Sequence, residues 1–220
     1  MNLLSIESAA GVVGAAVLID GSVVAEENFV DRRHTELLSP AIESVVKKSG
    51  ITLSQIDVIG VDCGPGLFTG LRVGIATAQG LAYGFSRPVV AVTSVEVLGQ
   101  VARANGSTGD VLAVVDARRG EVFVARLSPA GTILEEPSRM VPESLRSIDG
   151  DGLVAIGDGA RRYKEFLSKD VTLTEADLNA GALASVAAQK WENQESLFNA
   201  ATLRPLYLRA PDAVSNWSKR

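Results

Sequence analysis

The chain repeats itself at half its length. Glu7 and Asp116 stand 109 positions apart, and Gly21 and Gly131 stand 110 apart, in a sequence of 220 residues. Each acidic residue closes a short apolar run, residues 3–6 in the first half and 111–115 in the second. Two further strand-like segments follow in each half. They are residues 11–19 and 23–29 around an Asp20-Gly21 hairpin turn, then residues 121–127 and a third strand opening at Thr132-Ile133-Leu134 after Pro129-Ala130-Gly131. Alternating apolar residues bounded by Gly, Asp and Pro turns read as antiparallel strands. A period this long reads as a duplicated domain. The fold must therefore supply two similar sheets.

Between and after the repeats the pattern changes to helical spacing. Residues 35–48 form a helix with apolar positions Leu37, Leu38, Ala41, Ile42, Val45 and Val46 and a Gly50 stop. Pro40 either kinks this helix or opens it after Ser39 as N-cap. A strand at 56–61, a helix to about residue 85, a strand at 89–92 and a helix at 94–104 complete the first copy. The second copy is degenerate, with a strand at 153–156, a helix to about residue 167, a helix at 180–191 and a short strand at 205–208. Residues 1–105 and 106–220 are thus the two expected domains, the C-terminal segment being free to pack back on the first.

Composition removes several function classes. A hydrophobic content of 46% with 21% charged residues supports packed cores and not disorder. A net charge of −5 argues against a strong nucleic-acid binder acting alone; Arg118-Arg119 and Arg161-Arg162 read first as solvated surface and second as local contact points. The single cysteine, Cys63, excludes an intrachain disulfide and a thiolate cluster, and the single histidine, His34, excludes a two-histidine metal site. The N-terminus lacks a basic leader and no apolar run reaches the ~20 residues that span a bilayer, so a cytoplasmic protein without membrane contact is expected.

The segment richest in chemistry is Cys63-Gly64-Pro65-Gly66-Leu67-Phe68-Thr69-Gly70-Leu71-Arg72-Val73-Gly74. A glycine-rich turn between a strand and a helix N-terminus collects backbone amides where an anion is favoured. It is neither a dinucleotide fingerprint, because Thr69 stands where the third glycine belongs, nor a P-loop, because no lysine occurs between Lys48 and Lys164. Two readings stay open: a phosphate turn, or a tight connection whose glycines satisfy backbone geometry.

Duplicated βββαβα units are the plan of the actin, Hsp70 and sugar-kinase superfamily of ribonuclease H-like α/β folds. Within it, Ile6-Glu7-Ser8-Ala9, His34-Thr35-Glu36-Leu37-Leu38, Gly64 to Arg72, Asp116-Ala117-Arg118-Arg119-Gly120-Glu121-Val122-Phe123 and Pro205-Leu206-Tyr207-Leu208-Arg209 occur in one order. Together they resemble the TsaB (YeaZ) family, paralogues of TsaD, which transfers a threonylcarbamoyl group to adenosine 37 of tRNA. The chain departs from that family's pattern in having Glu7 for Asp and Leu67 for Ser.

The resemblance implies a non-catalytic subunit. TsaD holds its metal with a His-x-x-x-His pair, and here the position four after His34 is Leu38. It also implies a TsaD-like partner, a TsaE-like ATPase as a further partner, and tRNA reached only through the complex, with a homodimer as another assembly. ATP and metal are expected on the partner subunits, with none bound strongly by this chain. Glu7, Gly64, Gly66, Thr69, Gly70 and Asp116 are the expected nucleotide-proximal residues. His34, Leu37, Leu38, Ile42, Gly70, Arg72, Gly74 and Ala78 are the expected partner interface, with Gly70, Gly74 and Ala78 forming a ridge for close approach of a partner helix; the other reading buries that ridge against this chain's own sheet. An ATP-dependent small-molecule kinase of the same superfamily is the alternative; it would need an acidic base and a second phosphate loop, for which Gly157-Asp158-Gly159 is a partial candidate. A peptidase has no plausible centre here without the metal pair.

Overall fold

The computed structural model describes residues 1–30 and 34–209, the side chains of His34 and Thr35 excepted. The expectation placed on the His34 side chain lies outside what is described. The first half runs β1 (Asn2–Glu7), β2 (Val12–Ile19), β3 (Ser22–Val30), α1 (His34–Ser49), β4 (Val58–Asp62), α2 (Phe68–Phe85), β5 (Val89–Val92) and α3 (Ser94–Ala104). The second half runs β6 (Val111–Arg118), β7 (Glu121–Leu127), β8 (Ile133–Met140), β9 (Val154–Ile156), α4 (Asp158–Arg162), β10 (Thr172–Thr174), α5 (Ala180–Glu192) and β11 (Leu197–Phe198). Short 3-10 turns lie at Leu53–Gln55, Pro142–Ser147 and Lys164–Phe166.

The duplication is exact in topology. One sheet has the order β3-β2-β1-β4-β5 with β11 added at its edge, and the other has the order β8-β7-β6-β9-β10. In both, an antiparallel meander is extended from its first strand by two parallel strands. Successive residues of a strand point to opposite faces, and here both faces are covered. Leu3 packs between the two sheets and Leu4 packs under α1 and α2; Ala113 packs between the sheets and Leu112 on the outer side of the second one. The molecule is therefore layered as α1/α2, first sheet, α3/α5, second sheet, and an outer layer of α4 and 3-10 turns. Near-continuous apolar strands such as β4 and β5 are what a doubly covered parallel sheet requires.

α5 belongs to the second half in sequence and to the first sheet in space. Asn179 caps it, its Oδ1 accepting from Ala182 N at 2.7 Å. From β3, Asn28 Oδ1 accepts from Ala180 N at 3.0 Å and Glu26 Oε1 accepts from Gly181 N at 2.9 Å. An acidic side chain at a helix N-terminus also complements the helix dipole. Residues 205–208, expected as a strand, form none; the first sheet is completed instead by β11, whose Leu197 and Phe198 pair with Val90 and Val89. Two residues are too few for an alternation to register in sequence.

Two helices differ from expectation. α1 starts at His34 and runs through Pro40, so Ser39 is not its N-cap. The helix expected to reach residue 167 ends at Arg162 and gives way to a 3-10 turn.

Candidate functional site

β1 and β4 are parallel neighbours with Ile6 opposite Val61, so Glu7 and Asp62 emerge side by side at their carboxyl ends. Both are fully buried. Glu7 Oε1 accepts from Ala9 N at 2.9 Å; Asp62 Oδ1 accepts from Gly64 N at 2.7 Å and from Ser94 Oγ at 2.8 Å. The remaining oxygens, Glu7 Oε2 and Asp62 Oδ2, have no donor apart from each other. Burial, reinforced by the Asp62 charge, pushes Glu7 well above the carboxylate range, and burial lifts Asp62 to about 6. A neutral Glu7 hydroxyl donating to the Asp62 carboxylate meets both demands with one proton.

The glycine loop seals this pair. Leu67 N donates to Ala9 O at 2.6 Å, Ser94 N to Gly64 O at 3.0 Å and Leu206 N to Cys63 O at 2.7 Å. A Cβ on Gly66 would stand 2.1 Å from Ala9 O, so only glycine lets the loop lie on the β1–β2 connection. The loop is thus packed tightly on the β1–β2 connection. This corrects the expectation for Glu7, Gly64 and Gly70, which are all buried behind it. Cys63, the residue after Asp62, is buried too, and burial pushes its thiol up to about 12.

In the second lobe, Asp116 occupies the place of Glu7 and is almost as buried, at 2% exposure. Its Oδ2 accepts from Arg118 Nη1 at 2.7 Å and from Arg162 Nη1 at 3.2 Å, and its Oδ1 accepts from Arg118 N at 2.9 Å. Asp158, two residues beyond β9, accepts from Asp116 N at 2.9 Å, and burial raises its carboxyl. A Cβ on Gly159 would meet Val115 C at 2.8 Å, so Gly157-Asp158-Gly159 is a strand-to-helix turn pressed on β6. A nucleotide-bound divalent cation needs ionised carboxylates open to it. One lobe offers a sealed, proton-sharing pair and the other a carboxylate already held by two guanidiniums, so these residues do not fit that group. Among the described residues no three His, Cys, Asp or Glu side chains gather to hold a metal.

The open part of the interlobe region is a cleft of about 510 Å³ between the α2 N-terminus, the β6–β7 turn and residues 206–209. Gly66, Thr69 and Arg72 line it, with Phe68, Arg118, Arg119, Tyr207 and Arg209. Phe68 and Tyr207 stack with centroids 5.1 Å apart. The Arg72 guanidinium lies 3.7 Å from the Phe68 centroid, and its Nε donates to Tyr207 Oη at 3.0 Å. Arg118 and Arg119, read from sequence as solvated surface or local contact points, face this cleft. Sequence reading also missed Asp62; its signal was an acidic residue ending the apolar run just before the glycine loop.

The expected partner ridge turns inward. Gly70, Gly74 and Ala78 are buried, and a Cβ on Gly74 would stand 2.2 Å from Ser8 Oγ. Ser8 Oγ also donates to Gly70 O at 2.9 Å, so the ridge exists to seat α2 on β1. Leu38 and Ile42 are buried in the same core, and Leu37 is half-buried against it. The outward face of α2 carries a different row of small residues, Ala76, Gly80 and Gly84, all exposed, with nothing within 4 Å of a Cβ at either glycine. Beside them Tyr83 is 85% exposed. Between α1 and α2 runs a groove of about 530 Å³ lined by Ile42, Val46, Ile51, Leu53, Thr77 and Leu81.

Two ribonuclease H-like sheets of one strand order, with an acidic residue closing the first strand of each, define a two-lobed protein of the actin and sugar-kinase class. Residues 23–214 match the family described as "TsaD: tRNA N6-adenosine threonylcarbamoyltransferase". A protein of Haemophilus influenzae named tRNA threonylcarbamoyladenosine biosynthesis protein TsaB is 28% identical over 221 residues, covering 95% of this chain and 94% of the relative. An uncharacterized protein of Mycobacterium tuberculosis is 33% identical over 216 residues, covering 96% and 93%. The solved structure of YeaZ from Pseudomonas aeruginosa superposes with a TM-score of 0.85 at 28% identity, over 94% of this chain and 99% of that one. The chain belongs to the TsaD-type family and stands on its TsaB (YeaZ) side, among the paralogues of TsaD.

Proposed function

We propose that this chain is a non-catalytic subunit in the formation of threonylcarbamoyladenosine on tRNA. It would pair with a TsaD-like subunit through α1 and α2, with a TsaE-like ATPase as a further partner. The closed first lobe carries this reading. Its acidic pair is buried behind the glycine loop, with Asp62 Oδ1 accepting from Gly64 N, whereas an apolar groove and a row of small residues stay open on the face of α1 and α2. An apolar groove beside a row of small residues lets a partner helix approach below the usual 8–10 Å.

The role is tested by reconstitution. With a TsaD-like subunit, a TsaE-like ATPase and threonylcarbamoyl-adenylate, the chain should support repeated modification of a tRNA bearing adenosine 37. Undiminished modification in its absence would refute the role. The pairing face is tested by Gly80→Leu with Tyr83→Glu, which should abolish co-elution with the TsaD-like subunit while leaving the melting temperature in place. Co-elution at wild-type affinity would remove this face from the interface.

A further inference from the structure

The interlobe cleft is absorbed neither by the sealed acidic pair nor by the α1/α2 face. Among the described residues its lining includes Arg72, Arg118, Arg119 and Arg209 and no carboxylate side chain, in a protein whose net charge is −5. Arg118 is balanced by Asp116 and Arg209 by Glu121. Arg72 has no carboxylate partner among the described residues: it is held by the Phe68 ring and by Tyr207 Oη. Phe68 and Tyr207 each keep 37% of their surface open, so the stacked pair stays partly accessible beside a guanidinium that no carboxylate neutralises among the described residues.

The β6–β7 turn adds a second observation. Arg118 and Arg119 both occupy the left-handed region, at φ 61° and 59°. Two consecutive non-glycine residues there are disfavoured, and such strain persists where the surroundings hold it. Asp116 Oδ1 fixes the Arg118 amide, and Arg209 donates to Ala117 O at 3.0 Å and to Arg118 O at 3.3 Å. The turn is thereby held with its arginines at the cleft.

We infer that this cleft binds single-stranded RNA, a base lying against Phe68 and Tyr207 and the flanking phosphates lying on Arg72, Arg118 and Arg119. Aromatic platforms bordered by guanidiniums are the chemistry that holds unpaired bases and their backbone. A free nucleoside triphosphate fits less well. Its phosphate chain also calls for a carboxylate-bound cation, and the two acidic positions are sealed or already paired with arginine. The choice of RNA over other polyanions rests on the tRNA role proposed above.

The test uses the full chain in complex with its TsaD-like partner and a fluorescein-labelled anticodon stem-loop RNA followed by anisotropy. Arg72→Ala, and Phe68→Leu with Tyr207→Leu, should each weaken binding about 10-fold. Arg72→Ala should also flatten the slope of log K against log salt by about 0.7. Arg72→Lys should restore that slope without restoring the affinity lost with the stacked guanidinium. Neither ATP nor polyglutamate at matched charge should displace the RNA. Variants that melt like wild type and bind RNA equally well would overturn the cleft, and so would displacement by ATP at the RNA's own concentration. Size-exclusion chromatography of the same samples separates the two ideas. Loss of pairing in the wild-type chain counts against the subunit role, whereas intact pairing with indifferent cleft variants counts against the RNA site alone.

Discussion

In the first lobe Glu7 faces another acid, Asp62, and is neutralised by a proton; in the second, Asp116 faces Arg118 and Arg162 and is neutralised by cations. The two positions are equivalent in the duplicated topology and nearly equal in burial. What differs is the cover. The first sheet has long helices on both faces and the glycine loop folded over its strand ends, and among the described residues no guanidinium reaches Glu7. The outer face of the second sheet has only α4 and 3-10 turns, and its β6–β7 turn emerges at the cleft, where arginines with exposed heads can reach Asp116. A repeat can thus keep its acidic residue while one copy closes and the other stays electrostatically open.

The largest expected effect separates the two faces of α2 that this closure creates. Gly74→Leu forces a side chain against Ser8 and should destabilise the protein by roughly 1–3 kcal/mol. Gly80→Leu, facing open space, should shift stability by less than about 1 kcal/mol, helix propensity favouring Leu. Chemical denaturation measures both; equal losses would refute the inward placement of the ridge.

The next effect is pH dependence. Glu7 and Asp62 hold their proton above the ordinary carboxylate range, so the native state binds more protons than the unfolded chain once pH exceeds about 4. Their contribution is complete below that point, declines as pH rises through about 6, and goes on declining as Glu7 ionises. A loss on the order of 1–3 kcal/mol is expected, and Glu7→Gln should flatten this slope. Carboxyl carbon NMR titration checks the assignment: two ordinary, independent titrations near pH 4 would sink the shared proton.

Asp116→Asn should cost less, about 1 kcal/mol, because Arg118 and Arg162 are 31% and 55% exposed and water screens them. Its cost should shrink in 1 M salt, whereas that of Glu7→Gln should not. Similar salt responses at both positions would erase the contrast between the lobes.

The smallest signal is the most direct gauge of closure. Cys63 adjoins Asp62 in the chain, and its thiol is buried with its pKa raised to about 12. Labelling by a disulfide reagent at pH 8 should proceed only at the rate of unfolding. Fast labelling of the folded chain would mean that the first lobe opens.

The duplication, strands β1 to β9 and α3 were legible because each rests on local chemistry, alternation and turn residues at fixed offsets; β10 and β11 were not, being only three and two residues long. The His34/Leu38 spacing that leaves no histidine pair was equally readable, being a matter of which residues are present. The glycine loop kept two meanings, because Gly64-Pro65-Gly66 serves a phosphate turn and a tight connector alike. Only the approach of Ala9, from a different part of the chain, showed how tightly that connector is packed. For the same reason Gly70, Gly74 and Ala78 marked a close contact without marking its partner, which proved to be Ser8 of the same chain. Composition and spacing determined which residues could make close contacts or carry charge. Which of them were sealed and which faced the cleft depended on long-range packing, because burial and hydrogen-bond partners come from segments far apart in sequence.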